Sequence, residues 1–533
     1  MPGDMLVPGA KQAFEFPDLY EAGIAELQQG LEKGHFTSVD LVKAYLARIE
    51  EVNLNGAALH AVIETNRSAE SQAADLDAER KNKGSRGPLH GIPLLLKDNI
   101  ATLHEEGMNT TAGSYALLGS EVSGDAPVAA KLREAGAIFI GKANMSEWAN
   151  YRGQVPSGFS GRGGQTLSPY HPNGDASGSS SGSGVAMAIG LAAGSLGSET
   201  DGSIVSPSSR NNIVGIKPTV GLASRTRVIP ISSTQDTVGP MCRSVADAAL
   251  LLSFIAGKDE NDEATKNQPE IPDYMKALDK DALKGKRLGV PRKLIKEDNP
   301  VEEEFAKALD ILRDLGAEIV DPADFPNADE LKASEHESLV LSVEFKVGVN
   351  KYISELRKRP PGINDLADLI RFNNENKERE LPEPYHTDQS RFYKSEASKV
   401  DEEYYEAVRK DYELGRTEGI DATLKKFRLD AFVLPSNYGY ASKSAAIAGY
   451  PLITVPLGFQ PDTVEATPNP PTPLYNEAPG MPFGLCFTGT AYSEFQLISF
   501  AYAFEQGTQV RLKGRKAFLE ATPKTQLKDV LLS

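Results

Sequence analysis

The stretch from Gly174 to Gly215 constrains this chain more than any other part of its sequence. Two segments rich in glycine and serine flank an uncharged apolar run, Val185 to Gly194, which predicts a buried helix. Glycine permits backbone angles that other residues avoid and lets the main chain approach a ligand closely. Successive N–H groups in such turns can form a binding site for a negatively charged oxygen. The stretch therefore predicts a functional loop pair.

A flexible linker is the first alternative, because glycine–serine runs are most often linkers. Here the first run is followed at once by the apolar segment, a second glycine turn and the apolar residues 213–216. That alternation favours loops attached to a folded core over a linker.

The nucleophile elbow of α/β-hydrolases is the second alternative, since Gly178 to Gly182 fits G-x-S-x-G. The elbow requires a hydrophobic strand before it and a histidine late in the chain. Residues 168–173 read Ser-Pro-Tyr-His-Pro-Asn, which does not predict a strand. The late histidines His336 and His386 lie in charged or proline-rich surroundings. We interpret the match as accidental.

Three motifs occur in a fixed order: GSSSGSG from Gly178, ETDGSIVSP from Glu199 and GIKPTVGL from Gly215. Together they resemble the amidase signature family of serine hydrolases. The ETDGSI variant and the downstream TVGLASR and ISSTQDTVGPM are most similar to the peptide amidase branch. The resemblance is strong over residues 88–250, the signature core, and weaker to the C-terminus.

The resemblance implies an α/β fold, with a large mixed β-sheet covered by helices on both faces. It implies one domain over residues 1–533, and we expect the charged segment 329–445 to be a mostly helical insertion that shapes the substrate pocket. Local patterns agree with an α/β chain. Residues 286–320 predict a βαβ unit, and Thr37 with Asp40 predicts a capping box at a helix start.

The family uses a Ser–cisSer–Lys triad. Carried over by motif, the nucleophile is Ser203, the bridging serine is Ser179 after a cis peptide bond, and the lysine is Lys97, which follows the apolar run 90–96. The residues support a lysine base, because no histidine is suitably placed. A free lysine has a pKa of about 10.4, so burial must lower that pKa before the amine can accept a proton.

The resemblance also implies an oxyanion hole built from the backbone N–H groups of Thr200, Asp201, Gly202 and Ser203. Two departures from the common family pattern occur beside it: Glu199 with Asp201, and Val205 where an arginine is frequent. These departures do not affect the three triad residues, but they predict that the salt bridges around the turn differ from those common in the family.

Three further residues are candidates for substrate binding. Ser180 is also an alternative to Ser179 as the proton relay. Trp148 and Tyr151 lie in a segment that the family places near the pocket mouth, although packing is an equally plain interpretation of a lone tryptophan.

Composition limits the partners. A formal net charge of −17 argues against nucleic acids and anionic membranes. Two cysteines, no signal-peptide pattern and no membrane-length apolar run predict a cytoplasmic protein. Seven scattered histidines predict no metal, and we expect no cofactor. A monomer or homodimer is expected.

The leading functional prediction is hydrolysis of a linear carboxamide, a peptide C-terminal amide or an amino-acid amide, through an acyl-enzyme. One alternative is an amidase or esterase acting on aryl amides or carbamates. Another is the glutaminase subunit of a tRNA-dependent amidotransferase. A catalytically inactive binding protein is the third, and the intact Lys97, Ser179 and Ser203 argue against it.

Overall fold

The computed structural model describes residues 15–296, 299–436, 441–468 and 472–532, with the side chains of Asn299 and Ala441 excepted. Its strands, in chain order, are β1 Val62–Thr65, β2 Pro93–Lys97, β3 Ile138–Ala143, β4 Phe159–Ser160, β5 Gly164–Gln165, β6 Gly194–Glu199, β7 Val214–Lys217, β8 Thr237–Cys242, β9 Arg287–Gly289, β10 Glu318–Val320, β11 Ala431–Pro435, β12 Leu452–Phe459, β13 Thr467–Pro468, β14 Tyr475–Glu477 and β15 Pro482–Thr488.

One large mixed sheet organises the described chain. Its strand order is β1-β3-β2-β6-β8-β7-β12-β15-β11-β9-β10. At one end β3, β2 and β6 run parallel, and at the other β11, β9 and β10 do. The strands between them pair antiparallel. β4 with β5 and β13 with β14 form two short separate ribbons.

Helices cover the sheet and connect its strands. The helices before the insertion are α1 Ile24–Glu32, α2 Ser38–Val52, α3 Ala69–Lys83, α4 Pro127–Glu134, α5 Ser181–Ala188, α6 Val205–Arg210, α7 Val245–Ile255 and α8 Asn299–Asp314. The helices of the insertion and the C-terminal part are α9 Ala328–Ala333, α10 His336–Glu355, α11 Leu366–Glu375, α12 Lys377–Glu380, α13 Ser390–Ala397, α14 Glu402–Tyr412, α15 Asp421–Phe427, α16 Ala441–Ala448, α17 Glu494–Thr508, α18 Val510–Lys513 and α19 Leu527–Leu531.

The predicted sheet covered on both faces is confirmed. Every residue of β2, β3, β6, β8 and β15 is buried, including side chains that point to opposite faces. The predicted βαβ unit is also confirmed, because β9 and β10 pair in parallel across α8. Thr37 and Asp40 form the predicted capping box at the start of α2.

One prediction at the centre of the chain is wrong. The helix was expected over Val185 to Gly194 with a glycine turn after it, but α5 begins at Ser181 and Gly194–Glu199 is a strand. The glycines of that strand do not form a turn; they allow neighbouring side chains to pack closely against the strand. A Cβ on Gly194 would lie 2.9 Å from Leu251 Cδ1, and one on Gly197 would lie 2.8 Å from Ser180 Oγ.

Residues 328–427 form a run of helices, after which β11 returns the chain to the main sheet. A buried ion pair and its hydrogen bonds fasten this helical segment to the core. Arg152 pairs with Glu147 and donates to the carbonyl oxygens of Glu380 and His386. The Glu380 carboxylate accepts the N–H of Tyr115 at 2.7 Å. The segment is therefore held against the loops that follow β2 and β3.

Two features of the described ranges bear on partners. No helix within them is both long and apolar enough to cross a bilayer. No group of three or more His, Cys, Asp or Glu side chains in the same ranges is arranged to hold a metal ion.

Candidate active site

Lys97 closes β2 and is completely buried. Its Nζ donates a hydrogen bond to Ser179 Oγ at 2.7 Å and another to the carbonyl oxygen of Ser198 at 3.0 Å. Burial lowers the pKa of Lys97 to about 7, against the opposing charges of Glu199 and Asp236. An amine with this pKa is substantially neutral near neutral pH, so it can accept a proton.

Ser179 follows a cis peptide bond from Gly178, as the family resemblance implies. The close approach of the chain explains the glycine, since a Cβ on Gly178 would lie 2.3 Å from Ser146 Oγ. The N–H of Ser146 in turn donates to the carbonyl oxygen of Ser179 at 3.0 Å. The hydroxyl of Ser179 is thereby directed toward Lys97.

Ser203 lies in the turn between β6 and α6. Its carbonyl oxygen accepts the N–H of Ser180 at 3.1 Å, which places the two serine segments side by side. Its side chain is nearly buried, and its hydroxyl makes no hydrogen bond within the described ranges. Hydrogen bonds between catalytic groups are often long in the absence of a substrate. The structure brings Lys97 and Ser179 into contact and places Ser203 on the neighbouring segment.

The buried carboxylate of Glu199 holds the Ser203 turn in place. The sequence did not predict this role of Glu199. It accepts the N–H groups of Gly202 at 2.9 Å, Ile204 at 2.6 Å and Val205 at 2.9 Å. Burial raises the pKa of Glu199, and the nearby Lys217 ammonium and these three N–H groups oppose that rise. An acidic residue just before the turn was the available sequence signal.

This arrangement corrects one member of the predicted oxyanion hole. The Gly202 N–H is directed at Glu199, so it cannot donate to a substrate oxygen in this conformation. The N–H groups of Thr200, Asp201 and Ser203 have no acceptor among the described residues. These three remain available to an oxyanion.

The three predicted substrate-binding residues all lie in buried positions. Ser180 Oγ donates to the carbonyl oxygen of Ser198 at 3.2 Å. Trp148 packs edge-on against Phe345 and Phe392. The hydroxyl of Tyr151 lies 3.3 Å from a serine hydroxyl on α10. None of the three lines the cavity described below, so packing accounts for Trp148 and Tyr151.

A cavity of about 900 Å³ opens next to the Ser203 turn, at Thr200. Its inner lining includes Asn99, Ser198 and Thr200, the residues that follow or end β2 and β6. The Nδ2 of Asn99 donates to Ser198 Oγ at 2.8 Å, and Thr200 Oγ1 donates to Asp236 Oδ1 at 2.6 Å. The opposite wall is formed by helix α10. The cavity therefore reaches the Ser203 turn from the side where helix α10 lies.

The other side of the turn is covered by the start of α16. A Cβ on Gly202 would lie 3.5 Å from Ser442 Oγ. Lys443 follows and donates to the carbonyl oxygen of Ser334 at 2.8 Å. Gln235 connects this region to α10, because its Nε2 donates to Glu337 Oε1 at 2.9 Å. The Ser203 turn is thus enclosed by segments that are distant from it in the sequence.

Known proteins resemble this chain along most of its length. The family model Amidase matches residues 40–498. A protein of Arthroderma benhamiae that bears the name of an amidase is 43% identical over 98% of this chain and 90% of its own. The crystal structure of native peptide amidase from Stenotrophomonas maltophilia is 41% identical, with a TM-score of 0.83 over 95% of this chain and 99% of that one.

A more distant relative is a Glutamyl-tRNA(Gln) amidotransferase subunit of Geobacter metallireducens. It is 33% identical over 92% of this chain and 98% of its own. The family match, the shared fold and the buried Lys97–Ser179 contact agree with one another. The chain belongs to the amidase family and is an amidase, similar to the peptide amidase branch.

Proposed function

We propose that this amidase hydrolyses the C-terminal carboxamide of peptides, or an amino-acid amide, to a carboxylate and ammonia. The contact between the Lys97 amine and Ser179 Oγ at 2.7 Å carries the chemistry. The similarity to the peptide amidase of Stenotrophomonas maltophilia supports the substrate class.

In the proposed reaction Ser203 Oγ attacks the amide carbon, and its proton passes to Ser179 while Ser179 passes its own proton to Lys97. The N–H groups of Thr200, Asp201 and Ser203 bind the oxyanion. The C–N bond then breaks, and the leaving nitrogen takes the proton from Lys97 through Ser179. Water repeats the sequence on the acyl-enzyme and releases the carboxylate.

The Lys97 pKa of about 7 supports both proton transfers of this cycle, from Ser203 during the attack and to the leaving nitrogen afterwards. A neutral Lys97 accepts the proton during attack, and the ammonium so formed is acidic enough to return it to the departing nitrogen. A lysine with an ordinary pKa would remain protonated near pH 7 and could not begin the cycle.

A glutaminase component of an amidotransferase is the second candidate, because of the amidotransferase relative at 33% identity. Such a protein must bind the charged α-groups of glutamine. In the cavity, however, Arg225 already pairs with Asp262 at 2.7 Å. Aryl amides and carbamates share the acyl-transfer path; aryl amides differ in the leaving amine, and carbamates differ also in the group that remains on the acyl carbon.

The test is ammonia or amine release by the purified chain alone, from a peptide C-terminal amide, an aryl amide, a carbamate and free glutamine. Ser203→Ala is the control. Release from the peptide amide that is lost in Ser203→Ala is the expected result. Activity confined to the aryl amide or carbamate would replace the substrate. Activity on glutamine that requires partner proteins would favour the amidotransferase.

A further inference from the structure

Helix α10 gives the length of the cavity. Its lining residues recur at intervals of four: Val343, Val347, Lys351 and Glu355. The axial distance from the first to the last is about 18 Å, at about 1.5 Å per residue. An extended peptide rises about 3.3 Å per residue, so this wall has the length of about five residues.

One end of this wall lies at the Ser203 turn. Glu344, beside Val343, accepts the N–H of Thr234 at 3.1 Å and the hydroxyl of Tyr404 at 2.9 Å. The same loop continues to Asp236, whose carboxylate accepts the Thr200 hydroxyl. Because Thr200 belongs to the oxyanion turn, the Val343 end is the end nearest the reacting carbonyl.

The other end lies at the loop after β2. The N–H of Lys358, just beyond α10, donates to the carbonyl oxygen of Glu121 at 3.2 Å. The next two residues, Val122 and Ser123, line the cavity. The cavity therefore extends along α10 from the oxyanion turn to the 121–123 loop.

Part of the rim of the cavity is apolar and exposed. Val347 is 52% exposed, Val400 is 52% exposed and Tyr405 is 63% exposed. All three line the cavity, although single exposed apolar side chains elsewhere on a surface are ordinary. Several around one opening are typical of a binding groove for an apolar ligand.

Two charged groups of the lining are already bonded to other residues of the protein. Arg225 forms a two-pronged pair with Asp262, at 2.7 and 2.9 Å. The Glu344 carboxylate is bound by the hydroxyls of Ser232 and Tyr404. These two groups are therefore less available to a charged occupant, whereas Arg227, Lys351 and Glu355 also line the cavity and keep part of it charged.

We infer that the preferred substrate is an oligopeptide carboxamide of about four or five residues with apolar side chains. Its acyl part lies extended along α10, with the terminal carboxamide at Ser203 and its apolar side chains on Val347, Val400 and Tyr405. This inference rests on the proposed function. An amino-acid amide fills only the part of the cavity beside Thr200, so most of the available contact is unused.

The first test is kcat/KM for a series of N-acetylated carboxamides of one to six apolar residues. We expect a rise of at least 100-fold from one residue to five and no further gain at six. A kcat/KM that does not depend on length would overturn the inference. So would a gain that follows the size of the amine in a parallel series of N-substituted amides, because the cavity would then hold the leaving group.

The second test changes the rim. Val347→Asp places a charge among the apolar side chains, and Leu54→Asp changes another exposed aliphatic residue, 68% against 52% exposed, that does not line the cavity. We expect Val347→Asp to lower kcat/KM for the pentapeptide amide at least tenfold more than for the amino-acid amide. Leu54→Asp should change neither. Equal losses on both substrates with Val347→Asp would contradict the assignment.

Binding separates this inference from the proposed function. Calorimetry with Ser203→Ala and the acetylated pentapeptide amide measures occupancy without turnover. Binding at least tenfold tighter than that of the acetylated amino-acid amide is expected. Tight binding with no hydrolysis by the parent protein would remove the proposed function alone. Absent binding alongside rapid hydrolysis of short amides would remove this inference alone.

Discussion

Glu199 and Gly202 are joined by a hydrogen bond of 2.9 Å, from the Gly202 N–H to Glu199 Oε1, inside the turn that carries Ser203. The other carboxylate oxygen accepts the Ile204 N–H on the far side of Ser203. Ser203, the proposed nucleophile, therefore lies between two backbone N–H groups that one side chain holds. This arrangement directs the free N–H groups of the turn outward, where an oxyanion would bind.

Glu199→Gln should weaken this arrangement, because an amide offers one acceptor oxygen where the carboxylate offers two. We expect kcat on a peptide amide to fall about 100-fold with little change in KM, similar to the loss of an oxyanion donor. Glu494→Gln is the matched control, since this buried carboxylate also accepts a backbone N–H, that of Thr219, but lies away from the triad. Equal losses of kcat in both variants would contradict a positioning role.

The Lys97 amine should impose an acid limb on activity. Its pKa is about 7, and only the neutral form accepts the proton. We expect kcat/KM to fall about tenfold per pH unit below pH 7 and to level off above it. A profile between pH 5 and 9 measures this, and a rate that stays constant down to pH 5.5 would exclude Lys97 as the base.

Lys97 should also make stability depend on pH. Its pKa is lower in the folded chain than the ordinary 10.4 of the unfolded one, so the unfolded chain binds the extra proton between these values. Stability therefore rises with pH there, by up to about 1.4 kcal/mol per pH unit. Urea unfolding of wild type and Lys97→Met at pH 7.5 and 9 should show a steeper rise in wild type, because buried Lys142 and Lys217, with pKa values of about 8, contribute a rise to both proteins. Parallel pH dependences would contradict the buried, depressed pKa.

Ser179→Ala should abolish most activity, because it breaks the only path from Ser203 to Lys97 in the proposed mechanism. We expect kcat to fall about a thousandfold, within the range of general-base losses. Ser180→Ala is the comparison, since its hydroxyl is bonded to the Ser198 carbonyl oxygen at 3.2 Å. A larger loss from Ser180→Ala would transfer the relay to that residue.

Motifs predicted that Lys97, Ser179 and Ser203 lie together, and hydrophobic runs predicted the sheet, because both are encoded in neighbouring residues; the triad role of the three stays a prediction. The N-terminal start of α5 was missed, since serine and glycine favour loops by themselves. What overrides that preference is tertiary packing: a Cβ on Gly182 would lie 2.2 Å from the carbonyl oxygen of Ala61. The role of Glu199 was also missed, because its partners are backbone groups that no side-chain pattern displays.

Gly182→Ala tests this packing directly. The added methyl would also lie 2.5 Å from the Asn144 N, and neither main chain can move freely. We expect the free energy of unfolding to fall by about 3 kcal/mol, at the upper end of overpacking costs. Gly34→Ala, with open space around it but a left-handed backbone, should cost about 1 kcal/mol. Chemical denaturation compares them, and equal losses would show that α5 tolerates the methyl.

In the proposed function, helix α10 contacts the substrate but carries none of the catalytic residues. The proposed triad and oxyanion turn come from residues 97–203, whereas one wall of the cavity comes from residues 343–355. With the substrate placed as proposed, substitutions on that wall would reach it without touching Lys97, Ser179 or Ser203. A lineage carrying this fold would then exchange one set of amides for another by altering one helix, while the proposed hydrolytic chemistry is inherited unchanged.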